Sequence, residues 1–349
     1  MDLYAVLPIA LLSMHFFDLL SKRKLLLILW AIIFLAFFLI AGFRECGFDY
    51  WPYAKYHYLF QDSNWIKVSK EHGVEIGFAL FNHLIKDFRA VIYLLTLVLL
   101  FHQFRFIYQT SKYPILSLVF YMGLFFYGSL MGQFRQGLVT GLFLTALYNI
   151  ENRKRFFFLL AVAFVFHYTA IIGILALFVP RKLGKFNIYI LLLAVSFLVP
   201  FLASPLIEYI SAYFAYLTIK TSFYMEQKGS GIINTAIIIR VFLFFMCYLY
   251  REQLRELKNM EFYINIYFLS LIFYISFSFM PALAARGSMY FSFFEIILAA
   301  NLIYVLRKKI ISLFLMIIFV GFSFYRQSQI LKDPDAVRVF YPYVNWLLK

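Results

Sequence analysis

Long uninterrupted apolar segments are the feature that most limits how this chain can fold. The runs are about 17–25 residues long, the length that an α-helix needs to cross a hydrocarbon core of about 30 Å. The predicted fold class is therefore an all-α, polytopic membrane bundle, with about ten full spans and one re-entrant helix pair. The predicted segments are 3–20, 25–42, 90–108, 114–131, 134–150, 156–179 (the re-entrant pair), 186–203, 232–250, 262–282, 287–305 and 309–325.

Composition excludes a soluble globular protein. Hydrophobic residues make up 64% of the 349 residues and charged residues 14%, with a mean hydropathy of +0.82. Soluble domains have roughly 45–50% apolar residues and about 25% charged residues. The net charge of +15 would suggest nucleic acid in a soluble protein. Here many of the cations lie in short loops, where they set membrane topology, so no nucleic-acid partner is predicted. No Gly/Ser linker is visible, which predicts one domain over 1–349.

Basic loops predict the orientation of the chain. They lie at 22–24, 153–155, 181–185, 251–258 and 307–309, and the positive-inside rule places them in the cytoplasm. Loops 44–73 and 204–231 and a tail over 326–349 are then external. Residues 75–87 are too short and too amphipathic to span, so we expect them at the outer interface.

The segment 156–179 has basic residues at both ends, so a single crossing would place Arg181 and Lys182 outside. His167 lies at its middle, and a polar group at this depth is costly unless it faces a cavity or the protein interior. We predict two half-helices that enter and return, with His167 at the apex and open to an external cavity. The alternative is a straight helix with one loop that violates the charge rule.

Arginines on the external side do not follow that charge rule. Arg44, Arg135 and Arg286 lie at predicted span ends, and Arg326 begins the predicted tail. A single such arginine is explained by a side chain that reaches the headgroup level, but three together favour a binding role. The planar guanidinium suits bidentate contact with phosphate oxygens, so an outward-facing group of arginines would suit a lipid-linked pyrophosphate.

Potential acid–base residues lie on the same predicted side. His167 can accept a proton at neutral pH, and Asp49 and Glu75 are external carboxylates. The sequence contains no Walker loop, dinucleotide-binding glycine motif, His-Glu-x-x-His motif or clustered Asp ligands. Neither a cofactor nor a metal site is therefore predicted, and ATP-driven transport, redox chemistry and zinc hydrolysis are unsupported.

Tyrosines and tryptophans are concentrated in the external loops. Tyr50 and Tyr53 follow Arg44, Lys220 and Tyr224 lie in a second Tyr-rich stretch, and Tyr343 lies in the tail. Aromatic residues at a membrane interface are ordinary anchors, but their faces also stack on sugar rings. These five residues are predicted substrate contacts, with the anchoring role left open.

These features together resemble the EpsG/Wzy family of bacterial O-antigen, capsule and exopolysaccharide polymerases. Each matching piece is short, but their order and common predicted face make the resemblance moderately specific. Phe48 departs from the family, which more often has a small polar residue before the aspartate. The pieces are Arg44 followed by Gly47-Phe48-Asp49-Tyr50 and Tyr53, Glu75 with Gly77-Phe78, Arg135-Gln136, Phe166-His167-Tyr168-Thr169-Ala170, and Arg286 with Tyr290-Phe291.

The resemblance implies a membrane glycosyltransferase of GT-C-like architecture in the bacterial inner membrane, with its active site facing the periplasm or exterior. Such an enzyme transfers a growing glycan from undecaprenyl pyrophosphate to a hydroxyl of another lipid-linked repeat unit, without metal or nucleotide. The implied partners are undecaprenyl-pyrophosphate-linked oligosaccharides, membrane lipid and a chain-length regulator protein.

The resemblance also implies residue roles. Arg135 and Arg286 would stabilise the leaving pyrophosphate, with Arg44 and Arg326 as secondary candidates. His167 would be the base, with Asp49 and Glu75 as alternatives. Gln136 and Tyr290, which belong to the matching pieces, are further predicted substrate contacts.

Other functions remain open on the sequence alone. An O-antigen ligase-like transferase would use the same donor, but we would expect a large external loop. A transporter or flippase of lipid-linked glycans predicts internal repeats with paired broken helices, and one broken segment without an evident repeat is visible. A membrane acyltransferase would use an embedded histidine but leaves the external arginines unexplained.

Overall fold

The computed structural model describes residues 3–20, 23–62, 64–213 and 235–347, with side chains described outside 204–213. Regular structure in these ranges is helical apart from one isolated bridge between Arg44 and Asn345. The prediction of an all-α polytopic membrane bundle is confirmed. Lys220 and Tyr224, two of the predicted substrate contacts, lie outside the described residues.

The chain forms two compact units, Met1–Gly173 with Leu306–Lys349 and Ile174–Val305; one domain over 1–349 stays a prediction. In chain order the first unit contains α1 (Leu3–Met14), α2 (Phe16–Leu19), α3 (Arg23–Gly42), α4 (Tyr50–Leu59), α5 (Trp65–His72), α6 (Ile76–Leu84), α7 (Phe88–Thr110), α8 (Pro114–Tyr121), a π-helix (Met122–Gly132), α9 (Phe134–Tyr148) and α10 (Arg153–Phe166). A 3₁₀-helix, Tyr168–Phe178, leads into the second unit.

The second unit contains α11 (Phe186–Tyr213), α12 (Thr235–Leu249), α13 (Arg251–Arg255), α14 (Met260–Ser276), α15 (Pro281–Ser292) and α16 (Phe294–Val305). The chain then returns to the first unit with α17 (Ile310–Lys332) and α18 (Pro334–Phe340).

Among the described residues, five helices are long and apolar enough to cross a membrane: Arg23–Gly42, Phe88–Thr110, Pro114–Gly132, Phe186–Ala203 and Ile310–Lys332. The pair α15–α16 passes the same test as one span bent by 43°. Other predicted spans are shorter as helices. The predicted segment 262–282 ends as a helix at Ser276, and the predicted segment 287–305 already begins at Pro281, because proline suits the first position of a helix.

Helices of the first unit bring the predicted external residues to one end. α9 packs against α7 and α10, and α3 packs against α7. The end of α3 meets the end of the π-helix, where Arg44 Nε donates to the Met131 carbonyl at 3.1 Å. At the opposite end Asp18 accepts hydrogen bonds from the backbone of Ile115 and Leu116. Since Asp18 is near the basic loop 22–24, the predicted cytoplasmic and external residues separate along the helices.

The chain reverses direction at His167, as predicted. α10 ends at Phe166, and His167 has extended backbone. Six residues later, a Cβ on Gly173 would lie 2.9 Å from Leu160 of α10 and 2.8 Å from Phe143 of α9. Residues 168–173 therefore run back beside the helices that precede them. α10 has 14 residues, or about 21 Å, so His167 lies near one end of the unit.

The start of the predicted tail is helical. α17 continues through Arg326 to Lys332, and a short helix and an extended segment follow. That extended segment returns to the end of α3: Glu45 N donates to Val344 O at 2.8 Å and Trp346 N to Phe43 O at 3.0 Å. The C-terminal residues thus lie at the same end of the unit as Arg44.

Candidate active site

A carboxylate shared by an arginine and a histidine is the centre of the candidate site. Glu75 Oε2 lies 2.5 Å from Arg135 Nη1, and Glu75 Oε1 lies 2.5 Å from His167 Nδ1. The backbone N–H of Tyr168 donates to the same Oε1 at 3.4 Å. Residues far apart in the sequence therefore form one charged group, which we name the Glu75 cluster (Glu75, Arg135 and His167).

Helix ends position all three members. Glu75 is the N-cap of α6, Arg135 lies in the first turn of α9, and His167 is the C-cap of α10. Side chains at helix ends can point along the helix axis to the end of the bundle, where backbone groups also lack intrahelical partners. Three helices thus deliver these side chains to one point.

The cluster is largely buried but open to a small degree. The side chains of Arg135 and His167 are 15% and 16% exposed, and that of Glu75 is 5% exposed. Burial alone raises the pKa of Glu75, but the hydrogen bond from His167 and the charge of Arg135 outweigh it and lower that pKa below its usual value. Glu75 is therefore ionised at neutral pH.

This lowered pKa predicts acid sensitivity. An ionised Glu75 stabilises the fold above its unfolded pKa of about 4.3, and this contribution is lost as the pH falls through the lower folded value. We expect the Tm difference between wild type and Glu75→Gln in detergent to be largest near neutral pH and to shrink below about pH 4. A Tm difference that stays constant down to pH 3 would contradict a lowered pKa of Glu75 in the folded protein.

Two aromatic rings hold the Arg135 guanidinium. Its Cζ lies 4.8 Å from the ring centroids of both Tyr53 and Phe78, at cation–π distance. The Tyr53 hydroxyl donates to Asp49 Oδ2 at 2.7 Å. Asp49 is thus connected to the cluster through Tyr53, while Glu75 makes the direct contacts.

The backbone before Arg135 is unusual. The π-helix Met122–Gly132 ends one residue before the N-cap Gln133, and α9 begins at Phe134. π-helical turns occur frequently at functional sites. The Gln133 side chain does not cap the first turn of α9, and a helix N-terminus favours anions. Both the guanidinium of Arg135 and the N-terminus of α9 therefore attract negative charge at this position.

Gly77 allows α6 to approach α10 closely enough for Glu75 to reach His167. A Cβ on Gly77 would lie 2.8 Å from the carbonyl oxygen of Val165 and 2.5 Å from its Cγ1. Because one of these atoms belongs to the backbone, a side-chain rotation cannot relieve the overlap. Gly77 lies two residues after Glu75, and Val165 two residues before His167, so this contact sets the spacing of the cluster.

We therefore expect Gly77→Ala to separate α6 from α10 and to lower activity by about 10²-fold, the scale of a 1 Å misplacement in an active site. The measurement is the rate of product formation by purified protein, with expression level as a folding check. Gly321→Ala is the matched control, since its added Cβ would meet no atom within 4 Å. Equal activity in the two variants would contradict this role for Gly77.

Arg44 and Tyr343, both predicted substrate contacts, instead cap the end of α3. Arg44 is buried, and its Nη1 donates to Ala41 O. The Tyr343 hydroxyl donates to Ile40 O at 2.8 Å, and Asn345 Nδ2 donates to Leu39 O at 2.9 Å. These carbonyls have no partner within the helix. The polar atoms of both residues are thus committed to α3, and this geometry does not support direct substrate contact.

Gly47 fixes the loop that follows Arg44. Its φ is +117°, and a Cβ there would lie 2.0 Å from the Met131 carbonyl oxygen. Its N–H also donates to Val339 O at 2.8 Å. Only glycine fits this conformation and this approach, so the loop is held between the π-helix and the C-terminal segment.

The remaining predicted contacts of the first unit are less accessible than expected. Tyr50 and Tyr53 are buried on the inner face of α4, and Gln136 is buried on α9. Burial, with a contribution from the charge of Glu45, raises the pKa of Tyr50 to about 12. Arg326 is half-buried on α17. Tyr53 touches the Glu75 cluster through its ring contact with Arg135.

Arg286 and Tyr290 lie in the second unit. Both are on α15, and Tyr290 is fully buried. Their predicted roles at the pyrophosphate stay predictions.

An ion pair in the second unit escaped the sequence reasoning. Arg240 of α12 and Glu295 of α16 lie 2.9 Å apart, and their side chains are 16% and 5% exposed. Each lies within a predicted span, and a charged residue inside an apolar run is itself a signal. The positive-inside rule concerns cations in loops, so it does not single out a charged pair inside two helices.

Comparisons with known proteins address the family. No curated protein and no solved structure matches the chain significantly. The model of the EpsG family matches residues 27–345, a range that includes the whole Glu75 cluster. The resemblance seen in the short motifs is confirmed, and the chain belongs to the EpsG family.

Proposed function

We propose that this protein is a polysaccharide polymerase that transfers a growing glycan from undecaprenyl pyrophosphate to a hydroxyl of another lipid-linked repeat unit. Membership of the EpsG family supports a membrane protein of the polysaccharide-polymerase type. The observation that carries the finer proposal is Glu75 held between Arg135 and His167. It joins a base and a cation, the two groups that this transfer requires.

His167 acts as the base. Its Nδ1 is engaged by Glu75 Oε1, so in the neutral ring Nδ1 carries the proton and Nε2 is the basic atom. A carboxylate that fixes the tautomer and stabilises the imidazolium has the same role in the Ser-His-Asp triad. Glu75, one of the alternative bases in the sequence reasoning, thus becomes a positioning residue. Asp49 remains the alternative base.

Arg135 stabilises the leaving group. Glu75 occupies its Nη1, and 15% of the Arg135 side chain is exposed. The remaining N–H groups and the first turn of α9 can serve phosphate oxygens. Preorganised donors of this kind are most effective where water is excluded.

The transfer balances without a nucleotide or a metal. The acceptor oxygen attacks the anomeric carbon of the donor sugar, and its proton passes to His167 Nε2. The bond from the anomeric carbon to the phosphate oxygen breaks, and the pyrophosphate takes the electron pair. Direct displacement in this way inverts the anomeric centre.

We further propose that the reaction takes place at the periplasmic or outer face of the inner membrane. The Glu75 cluster lies at the end of the first unit opposite to Asp18 and to Arg23 and Lys24 at the start of α3, and basic residues mark the cytoplasmic side. Lipid-linked oligosaccharides, membrane lipid and a chain-length regulator are the proposed partners.

Deletion with gel analysis of surface polysaccharide tests the proposal. We expect single repeat units to accumulate and the long-chain polymer to disappear, with both defects reversed by the wild-type chain. Polymer that remains on its lipid carrier would indicate a ligase instead. Lipid-linked units that stay at the cytoplasmic face would indicate a flippase.

A further inference from the structure

The helix α4 has two different faces. Tyr50, Tyr53 and His57 are buried toward the unit. On the opposite face Trp51 is 68% exposed and Tyr58 is 80% exposed, with exposed Lys55 between them. Positions 51, 55 and 58 have the spacing of neighbours on one helix face. Two of the largest aromatic side chains of the loop thus lie on its surface.

This face differs from the exposed face of α6 in the same unit. On α6 the exposed residues at helical spacing are aliphatic: Ile76, Leu80 and Leu84, at 41%, 41% and 66% exposure. Such a stripe suits acyl chains. The face of α4 instead alternates rings with an ammonium and a hydroxyl, and α4 is not among the apolar helices that could span a membrane. A polar ligand with apolar patches therefore suits this face of α4 better than acyl chains do.

The buried face of α4 contacts the candidate site. Asp49 immediately precedes the helix, and Phe48 packs against Gly132, where a Cβ would lie 3.2 Å from its ring. Tyr53, on the buried face, contacts Arg135. α4 has 10 residues, or about 15 Å. Its exposed face therefore lies across the helix from the contact with Arg135, at a distance of about one helix diameter, roughly 10 Å.

We infer that Trp51 and Tyr58 form a binding surface for the oligosaccharide of a lipid-linked substrate. The inference rests on the proposed function. Sugar rings present C–H groups that pack on an aromatic face and hydroxyls that bond to polar neighbours, here Lys55 and the Tyr58 hydroxyl. Both rings are already exposed and have few rotatable bonds, so they lose little conformational freedom on binding. The surface orients the glycan, and the Glu75 cluster performs the transfer.

Kinetics in nanodiscs test the surface. The initial rate of chain extension is measured against the concentration of purified lipid-linked repeat units for Trp51→Ala/Tyr58→Ala and Trp51→Phe/Tyr58→Phe. We expect the alanine pair to raise KM about tenfold with kcat within about twofold, and the phenylalanine pair to stay near wild type. Leu84→Ala, on the aliphatic stripe, is the control and should leave KM unchanged. A KM for the alanine pair within about twofold of wild type overturns the inference.

Fluorescence separates a glycan surface from a membrane anchor and does not depend on catalysis. The emission of Trp51 is the difference between wild type and Trp51→Phe, and the probe is the repeat-unit oligosaccharide released from its carrier by mild acid. Saturable quenching of this emission by the oligosaccharide supports the inference. Quenching by brominated phospholipid without an effect of the oligosaccharide overturns it and assigns Trp51 to the interface. If wild type binds the oligosaccharide but extends no chain, the proposed function fails and the surface stands.

Discussion

We expect Arg135→Ala to abolish chain extension while the protein still inserts into the membrane. Removal of one preorganised donor to a developing charge typically lowers kcat by about 10²–10³-fold, and Arg135 supplies several N–H groups at a helix N-terminus. The measurement is the length of surface polysaccharide in cells and the rate of extension by purified protein. Wild-type polymer length in this variant would remove Arg135 from the proposed site.

Two further variants separate charge from geometry and from stability. Arg135→Lys keeps a positive charge beside Glu75 but loses the planar fork, so we expect it to remain strongly impaired. Arg89→Ala is the matched control, because Arg89 is an arginine at the same end of the unit that pairs with Glu45 at 2.8 Å and does not touch the Glu75 cluster. It should extend chains normally. Equal losses in Arg89→Ala and Arg135→Ala would indicate a general effect of surface charge.

His167→Ala should lower the rate of a single transfer by about 10²–10⁴-fold, the usual contribution of a general base. Glu75 keeps its ion pair with Arg135 in this variant, so the fold should be largely retained. Single-turnover transfer with purified lipid-linked units measures the chemical step without product release. An unchanged rate would exclude His167 as the base and favour Asp49.

His83→Ala provides the comparison for this experiment. His83 lies on α6, the helix that begins just after Glu75. The His83 Nδ1 forms a hydrogen bond with the Phe60 carbonyl at 2.8 Å. It makes no contact with the Glu75 cluster that the structure describes. We expect a rate within about twofold of wild type, since its hydrogen bond is outside the site. The transfer rate of Glu75→Gln should be close to that of His167→Ala and well below that of His83→Ala, because Glu75→Gln releases the His167 imidazole.

The break at His167 was predictable because two independent signals coincide there. Basic residues at both ends of 156–179 favour a re-entrant segment over a single crossing under the charge rule, and a polar residue at mid-segment marks where the helix can end. The structure ends α10 at Phe166 and returns the chain beside Leu160. Local composition sufficed, since the cost of a polar group in lipid depends on depth and little on the partner helices.

The roles of the loop residues were not predictable in the same way. Arg44, Tyr50 and Tyr343 have side chains suited to a phosphate or a sugar, and the sequence placed them on the external side. The structure buries Tyr50 and uses Arg44 and Tyr343 to cap α3. Which way a side chain points from a short helix or an irregular loop depends on the elements packed beside it. The exposed rings, Trp51 and Tyr58, were therefore not singled out.

The sequence by itself determined the class of the protein, the approximate spans and the family, and it predicted the side of the membrane on which the reactive residues gather. Each of these depends on hydropathy, loop charge or local motif, properties that a linear chain carries before it folds. Only the tertiary structure decided that Glu75 joins Arg135 to His167, because the three residues come from separate helices 60 and 92 positions apart from Glu75. A hydrogen bond forms only within about 3 Å, and that distance is set by the close contact of α6 with α10 at Gly77.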